Sequence, residues 1–373
     1  MAKESPFLTP FREQIALCSR CGFCQVSCPV YGATLRPAVN PRGKMLILKD
    51  LLEGRLALGP ELLEPFYQCT ACGVCNRHCP AGVSVPEILK AVRIELVRTG
   101  MPHPAFNGLS EALARHKNIY GTERPAALTS RKENDPAEIV YFKGCVGSFR
   151  EAESVRQTQR LLDRLQVNYT GIDEVCCGGV AEEVGGEPIS ALAAHNVQAI
   201  LATGAKRVLT ECPFCFRTLT GRPQYAALER EKIAVLPLVR FLKDLDFGVT
   251  TAKRVTYHDP CDLGRQAGIY EDPRQIIRRI APDFVEMAHA REEALCCGAG
   301  GGMRGAYPGT SIAMAGRRLR EAGQVQAQIL LTHCNSCLHN FRNAQQRYAD
   351  LRRQNLEIYN LCQFIERLLE GAV

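Results

Sequence analysis

Ten of the nineteen cysteines fall into one pattern that occurs twice in the chain. Each copy contains a single cysteine, a Cys-Cys-Gly triplet and a Cys-x-x-Cys pair, in that order and at near-equal spacing. Five thiols are too many for one tetrahedral zinc ion, and such regularity is not expected of scattered core cysteines. We therefore predict that each set binds one iron–sulfur cluster. The predicted ligands are Cys145, Cys176, Cys177, Cys212 and Cys215 in the first set, and Cys261, Cys296, Cys297, Cys334 and Cys337 in the second set.

A different cysteine run occurs twice in the N-terminal third. Residues 18–29 and residues 69–80 both follow the pattern C-x2-C-x2-C-x3-C-P, which is typical of bacterial two-cluster ferredoxins. The first three cysteines of such a run bind one cubane cluster, and the fourth binds the other cluster. A pair of zinc sites is the alternative, because C-x2-C pairs also bind zinc. The prediction assigns Cys18, Cys21, Cys24 and Cys79 to one cluster, and Cys69, Cys72, Cys75 and Cys28 to the other.

The two five-thiol sets leave the type of cluster open. A cubane takes four ligands, so a fifth thiol indicates either a non-cubane cluster or a position that a substrate can occupy. Adjacent cysteines such as Cys176 and Cys177 can bind neighbouring irons. A disulfide between them is the competing interpretation, and a reducing compartment disfavours it.

Two histidines lie close to predicted ligands of the second set. His258 and His333 are candidate proton donors for thiol or disulfide chemistry, because histidine titrates near neutral pH. The equivalent residues of the first copy are Phe142 and Glu211. A buried histidine with a purely structural role is the alternative.

A glycine-rich run follows the second Cys-Cys pair. Gly298, Gly300 and Gly301 bring bare backbone close to the second set, where amide N–H groups could donate to sulfur. A flexible loop is the alternative interpretation. The run is not a phosphate-binding P-loop, because no Gly-Lys-Ser/Thr follows it.

The repeat also predicts the elements that position these cysteines. Residues 138–145 align with residues 254–261, and residues 207–212 align with residues 329–334. Each segment reads as a buried strand that ends at a cysteine. Helical stretches around residues 189–203 and 310–322 precede the second strand of each copy, and this alternation indicates a parallel α/β sheet. Sites in such sheets lie at the carboxyl ends of the strands, where the cysteines fall.

The N-terminal module is predicted to be helical. Apolar residues recur with helical spacing from Val85 to Leu96, after a Ser84-x-x-Glu87 capping-box pattern. Cys362 takes the place of the first copy's Val239 on an apolar helical face, so we predict that it is a core residue and not a ligand. The fold class is α+β multidomain: a helical two-cluster ferredoxin domain, then a duplicated α/β Cys-Cys-Gly domain. The predicted division is residues 1–100, a connecting segment 101–137, and the two copies 138–250 and 251–373.

Composition restricts the classes of function. At 373 residues, with 46% hydrophobic and 23% charged residues, the chain is an ordinary globular protein of two or three domains. It has no apolar run of about twenty residues and no export signal, so we expect a cytoplasmic protein without a membrane span. Any association with the inner membrane face would require a partner. The formal charge of +7 comes from dispersed basic residues, which indicates no nucleic-acid partner.

At these motifs the chain resembles the D-subunit family of heterodisulfide reductase, which is related to the iron–sulfur subunits of glycolate oxidase and anaerobic glycerol-3-phosphate dehydrogenase. The resemblance covers nearly all of residues 10–370, including the segment His258-Asp-Pro-Cys-Asp-Leu-Gly-Arg265. It implies two cubane [4Fe-4S] clusters in the first domain. It also implies non-cubane [4Fe-4S] clusters, one or two in all, that face each other across a disulfide site.

The resemblance leaves two functions to compare. The first is an electron-transfer subunit that performs disulfide/thiol redox chemistry in an anaerobic oxidoreductase complex. The second is the iron–sulfur subunit of a flavin-dependent glycolate, lactate or glycerol-3-phosphate dehydrogenase that passes electrons toward quinone. The implied partners are a flavoprotein, a membrane cytochrome or another quinone-reactive subunit. A zinc-bound scaffold is the non-enzymatic alternative.

Overall fold

The computed structural model of the chain describes residues 6–123, 136–186 and 190–372. Its first part is helical, as predicted. Two of its helices supply most of the packing, and short helices carry the cysteine loops. The helices are α1 (Arg12–Leu17), α2 (Phe23–Val26), α3 (Pro29–Thr34), α4 (Pro41–Glu53), α5 (Leu63–Tyr67), α6 (Val74–Arg77) and α7 (Val85–Arg98). Single 3-10 turns lie at Thr9–Phe11, Pro37–Val39 and Pro60–Leu62.

Helix α7 confirms the predicted helix but not its predicted cap. Ser84 precedes the helix, yet its side chain accepts no hydrogen bond from the first turn. Its hydroxyl instead accepts a hydrogen bond from Asn76, and its backbone N–H donates to the side chain of Gln14. Contacts with neighbouring segments thus replace the local capping box.

The connecting segment is more ordered than its sequence suggests. It contains a 3-10 turn at Pro104–Phe106 and helix α8 (Leu109–His116), while residues 124–135 lie outside the described residues. Leu113 of α8 joins the core of the first copy, and Phe106 packs on the core of the helical module. The segment therefore joins the two parts by packing, and its proposed bounds remain a prediction.

The duplicated part contains two parallel sheets, one for each copy. The first sheet has the order β2-β1-β3-β4 and the second β5-β6-β7, with equivalent strands in the same order. A single parallel bridge from Val255 to Phe284 stands where the first sheet has β2. The strands are β1 (Ile139–Phe142), β2 (Tyr169–Thr170), β3 (Arg207–Thr210), β4 (Ala234–Pro237), β5 (Val255–His258), β6 (Ile329–Thr332) and β7 (Glu357–Asn360).

Helices follow the strands as the repeat predicted. The helical stretches before the second strand of each copy are confirmed, although residue 189 lies outside the described residues. The first copy has α9 (Cys145–Arg150), α10 (Ala152–Arg164), α11 (Gly179–Glu183), α12 (Ser190–Ala202), α13 (Pro213–Gly221), α14 (Ala226–Arg230) and α15 (Leu238–Leu242), and a 3-10 turn at Pro223–Tyr225. The second has α16 (Glu271–Ile280), α17 (Met303–Ala306), α18 (Pro308–Gln324), α19 (Asn335–Arg347), α20 (Ala349–Arg352) and α21 (Leu361–Leu369), and a 3-10 turn at Arg291–Glu293. The predicted fold class is confirmed.

The two copies share one hydrophobic core. Helix α10 of the first copy packs on α21 of the second, and Tyr141 and Tyr257 of the two sheets belong to the same buried cluster. Cys362 lies in this cluster and is fully buried, as the repeat predicted. Because both copies contribute to this cluster, the relative position of their cysteines is set by packing.

One buried arginine joins the helical module to both copies. Arg93 of α7 is 1% exposed. Its guanidinium donates to the carbonyl of Cys69 at 3.0 Å, to that of Glu183 in the first copy at 2.8 Å, and to that of Gly301 in the second copy at 3.1 Å. Its Nε also donates to the carbonyl of Phe66 at 3.1 Å. Arg93 therefore holds the three parts of the chain at one point.

We predict that Arg93→Met lowers the free energy of unfolding by about 3–4 kcal/mol, because several buried carbonyls lose their donor. Arg115→Met is the control, since Arg115 is largely exposed and pairs with Glu111 on the surface; it should change stability little. Chemical denaturation under anaerobic conditions measures both. Equal effects of the two substitutions would contradict the role of Arg93.

Candidate metal centres

Four cysteines from both ferredoxin runs lie close together in the helical module. Burial raises the pKa of Cys24 to about 11, and the neighbouring thiolates of Cys18, Cys21 and Cys79 contribute in the same sense. Cys79 belongs to the second run, and the other three belong to the first. The spacing assigns the same four cysteines to one cluster, and that assignment remains a prediction.

The second group of ferredoxin cysteines is more deeply buried. Burial raises the pKa of Cys28 to about 11, and the thiolates of Cys72 and Cys69 add to this shift. Burial and the same two thiolates hold the pKa of Cys75 well above its usual range, with smaller contributions from Cys28 and Cys24. Cys24 belongs to the first group, so the two groups are neighbours.

The five thiols of the first set also lie together. Hydrogen bonds with Cys145 and Cys177 raise the pKa of Cys176. The Sγ atoms of Cys215 and Cys177 are 3.5 Å apart, and Cys212 precedes α13, where its sulfur accepts a hydrogen bond from the backbone N–H of Cys215. The competing disulfide between Cys176 and Cys177 is not formed, since both are free thiols.

The second set repeats this arrangement. Hydrogen bonding to Cys296 raises the pKa of Cys261 well above its usual range. Hydrogen bonds from Cys296 and Cys337 lower the pKa of Cys297, and Cys337 likewise lowers the pKa of Cys334. The cysteines that follow the strands of the second sheet therefore lie close together at the carboxyl edge of that sheet, as expected for parallel strands.

The two sets are adjacent to each other. Hydrogen bonding from Cys215 works to lower the pKa of Cys212, but burial and then the thiolate of Cys334 outweigh it and raise that pKa. Cys334 belongs to the second set. The duplicated unit thus brings ten thiols into one region between the copies.

These donor sets fit iron–sulfur clusters better than single ions. Among the residues that the structure describes, one group of three donor atoms lies within 4.8 Å, formed by His258, Cys297 and Cys337. Pairs of other thiols also approach closely, as Cys177 and Cys215 do, but no other three donor atoms among these residues form so compact a group, which suits ligands that bind different irons of a cluster. Buried thiolates that raise each other's pKa also need positive charge, which iron would supply.

The helical module touches the second set directly. A hydrogen bond with Cys296 raises the pKa of Cys72 well above its usual range. A Cβ atom on Gly300 would come within 2.7 Å of the carbonyl oxygen of Thr70, and one on Gly301 within 2.3 Å of that of Cys69. Both glycines are therefore required for the close approach of the second ferredoxin run.

Gly298, the third candidate glycine, has both a packing role and a contact with sulfur, since a Cβ atom on it would come within 2.5 Å of the carbonyl oxygen of Ser311. Gly298 donates its N–H to the sulfur of Cys296 at 3.4 Å, as Gly178 does to Cys176 in the first copy at 3.3 Å. Such backbone bonds to sulfur agree with the donor role that the sequence suggested for this glycine run. For Gly300 and Gly301 the structure instead gives a packing reason, and their role toward a cluster remains a prediction.

The two candidate histidines are both buried. His258 is 1% exposed and His333 is fully buried. Burial lowers the pKa of His333 to about 3, and burial together with Arg318 lowers that of His258 well below its usual range. Neutral rings are poor sources of a proton at neutral pH, so their role as proton donors remains a prediction that these environments do not favour.

A cavity of about 460 Å³ opens beside the second set. Its lining includes the thiols of Cys261, Cys297, Cys334 and Cys337, and within the described residues it includes no cysteine of the first set. The helical module, the connecting segment and the first copy complete its walls. They contribute Thr70, Phe106, Tyr120 and Phe214, together with the guanidinium groups of Arg217 and Arg304.

Sequence reasoning gave no role to two arginines of this region. Arg265 donates to the carbonyl of Cys72 at 2.8 Å and lies between the ferredoxin run and the second set. Burial works to lower its pKa, but the thiolates of Cys72, Cys261 and Cys296 outweigh burial and raise it. Arg304 lines the cavity. Arg265 could have been found from its place in the quoted motif, whereas Arg304 has no sequence signal.

Comparison with known proteins agrees with this organisation. Residues 14–83 match the family described as 4Fe-4S dicluster domain, and residues 139–220 and 255–342 each match the family described as Cysteine-rich domain. The chain is 32% identical to the D subunit of the dihydromethanophenazine:CoB–CoM heterodisulfide reductase of Methanosarcina barkeri, over 89% of each chain. It is 28% identical to EtfAB:quinone oxidoreductase of Syntrophomonas wolfei, over 76% of this chain and 48% of that protein.

A solved structure also resembles the fold. A hypothetical protein from Helicobacter pylori superposes with a TM-score of 0.64 at 11% identity, over 97% of this chain and 75% of that one. At this identity the likeness concerns the fold alone. In the described part of the chain, no helix has both the length and the apolar character that a membrane crossing needs.

We predict that Gly301→Ala lowers the free energy of unfolding by about 2–4 kcal/mol, because its Cβ would collide with the backbone of the second ferredoxin run. Gly204→Ala is the matched control. Both glycines have positive φ, +57° and +73°, but a Cβ on Gly204 would meet no atom within 4 Å. Denaturant titration compares the two variants, and a Gly204 variant as unstable as the Gly301 variant would show that φ alone accounts for the loss.

Proposed function

The chain belongs to the D-subunit family of heterodisulfide reductase, and from this starting point we propose that it is the subunit of an oxidoreductase complex that carries out disulfide/thiol redox chemistry. Four thiols of the second set line the cavity, and this observation carries the proposal. Cleavage of a disulfide there takes up two electrons and two protons and gives two thiols. The electrons come from, or return to, a redox partner subunit.

We propose two cubane [4Fe-4S] clusters in the helical module and two non-cubane [4Fe-4S] clusters in the duplicated unit. The ligands are those that the spacing assigns. When bound, each cluster would carry one electron at a time. The thiolate of Cys24 acts to raise the pKa of Cys75, Cys72 is hydrogen-bonded with Cys296, and the thiolate of Cys334 acts to raise the pKa of Cys212. These contacts support a continuous route for electrons from one group of cysteines to the next.

The proposed entry point for electrons is the loop of the first ferredoxin run. Cys21 is exposed. Large apolar side chains on the neighbouring helix are also exposed, Phe23 by 61% and Val26 by 88%. Exposed apolar groups beside a redox centre suit a protein partner. We propose that the redox partner, which is a flavoprotein, a membrane cytochrome or another quinone-reactive subunit, binds here.

The cavity suits a substrate with an anionic group. Arg217 is paired with Asp262. Arg304 donates to the hydroxyl of Tyr120 at 3.4 Å, and its Nη1 atom is buried without a hydrogen-bond partner among the described residues. A guanidinium with free donors favours a carboxylate, sulfonate or phosphate on the substrate. The proposed substrate class is therefore an anionic disulfide or the corresponding thiols.

The cluster assignment is tested with Cys79→Ala. We expect loss of about four irons and of one cubane EPR signal, because one cluster loses its fourth ligand. Cys21→Ala should remove the same signal although Cys21 belongs to the other run, and Cys362→Ala should remove none. The cross-run assignment is wrong if Cys79→Ala instead removes the signal that Cys69→Ala removes.

The disulfide chemistry is tested with Cys261→Ala in the anaerobically purified complex. Viologen-linked reduction of an anionic disulfide should be lost, while the cubane EPR signals persist because their ligands are unchanged. Cys362→Ala, a buried cysteine outside both sets, should keep the activity. Unchanged turnover in Cys261→Ala would overturn the proposal, as would cluster reduction by lactate, glycolate or glycerol 3-phosphate through a co-purifying flavoprotein.

A further inference from the structure

The two cysteine sets differ at one buried position. His258 is the last residue of β5 and precedes Cys261 by three positions. The equivalent last residue of β1 is Phe142, which precedes Cys145 by three positions. Both side chains are fully or almost fully buried. The second set therefore has a polar ring where the first set has an apolar one.

The ring of His258 faces the sulfurs of the second set. One of its nitrogens and the Sγ atoms of Cys297 and Cys337 all lie within 4.8 Å of one another. Phe341 packs edge-on against the ring, with centroids 4.8 Å apart at 90°. The orientation of the imidazole is thus fixed by packing.

Arg318 determines which nitrogen carries the proton. Its Nε donates to Nδ1 of His258 at 3.3 Å. Arg318 is itself held by the carbonyl of His289 at 2.7 Å and by Glu321 at 2.6 Å. Since Nδ1 accepts, a neutral ring carries its proton on Nε2.

The Nε2 atom has no hydrogen-bond partner among the described residues. A buried N–H without an acceptor is costly, so its presence needs an explanation. With Nδ1 occupied by Arg318, Nε2 is the nitrogen available to the sulfurs. Hydrogen bonds to the sulfurs of an iron–sulfur cluster favour its reduced, more negative state and so raise its reduction potential.

We propose that His258 donates its Nε2–H to a sulfur of the cluster bound by the second set, and thereby raises the reduction potential of that cluster. Phe142 gives the first set no such donor. The second set lies next to Cys72 of the ferredoxin run and lines the cavity. A higher reduction potential of the second-set cluster favours electron transfer to that cluster, which lies beside the cavity, over transfer to the first-set cluster. This inference rests on the clusters proposed above.

The test is EPR-monitored redox titration of the full-length, anaerobically purified chain. The signal that Cys261→Ala removes is assigned to the second set. His258→Phe should lower the reduction equilibrium constant of that signal about tenfold, which for a one-electron couple is about 59 mV. Phe142→Leu, at the matched position of the first copy, should leave that signal unchanged.

Two further variants separate hydrogen bonding from packing. His258→Gln places an amide N–H where Nε2 lies and should keep a potential close to that of the unchanged chain. His258→Asn reaches only the position of Nδ1 and should behave like His258→Phe. Pulsed EPR should detect a weakly coupled proton that exchanges in deuterated water and is lost in His258→Phe.

Other outcomes would overturn the inference. An unmoved potential in His258→Phe, or equal potentials in the Gln and Asn variants, excludes the hydrogen bond. Loss of the second-set signal in all three variants, or strong nitrogen coupling in pulsed EPR, would make His258 a ligand instead. If the unchanged chain gives no second-set signal, the proposed cluster is absent and the proposed function fails. This outcome differs from failure of the hydrogen-bond inference, because it is seen before any substitution is made.

Discussion

The arrangement of the redox groups depends on the close packing of the second ferredoxin run against the glycine run of the second copy. Gly300 and Gly301 leave no space for a Cβ between the two backbones. Arg93 and Arg265 fasten this contact by donating to the carbonyls of Cys69 and Cys72. Both arginines bind main-chain atoms, so the contact fixes the position of the backbone of the second run. Only with this contact do Cys72 and Cys296 meet, and the proposed electron route is continuous.

The duplication produced two copies that are similar in fold but unequal in position. Both copies collect five thiols at the carboxyl ends of a parallel sheet, and both contribute to one core. The second ferredoxin run, however, contacts the second set through Cys72 and Cys296, and the cavity opens beside the same set. The first set adjoins the second through Cys212 and Cys334. In the proposed function, the second set handles the substrate, and the first set is its immediate electron neighbour.

Much of the fold followed from local patterns. The strand before each single cysteine, the strand before each Cys-x-x-Cys pair and helix α7 were all predicted, because hydrophobic periodicity over such short segments reports burial directly. The capping box at Ser84 was not formed, since Asn76 and Gln14 compete for its polar groups. Helix α8 was not predicted within the connecting segment. Its formation is tied to the packing of Leu113 on the first copy, which a local pattern does not report.

The sequence by itself determined which cysteines act together, because cluster ligation imposes fixed spacings along the chain and the repeat displays them twice. It could not determine which of the two sets adjoins the ferredoxin run, since that depends on contacts between residues far apart in the chain, such as Arg265 with Cys72. Nor could it show that His258 faces sulfur while His333 does not belong to the same group of donors. Side-chain direction at a strand end is set by the packing of neighbouring helices, and here Arg318 and Phe341 decide it.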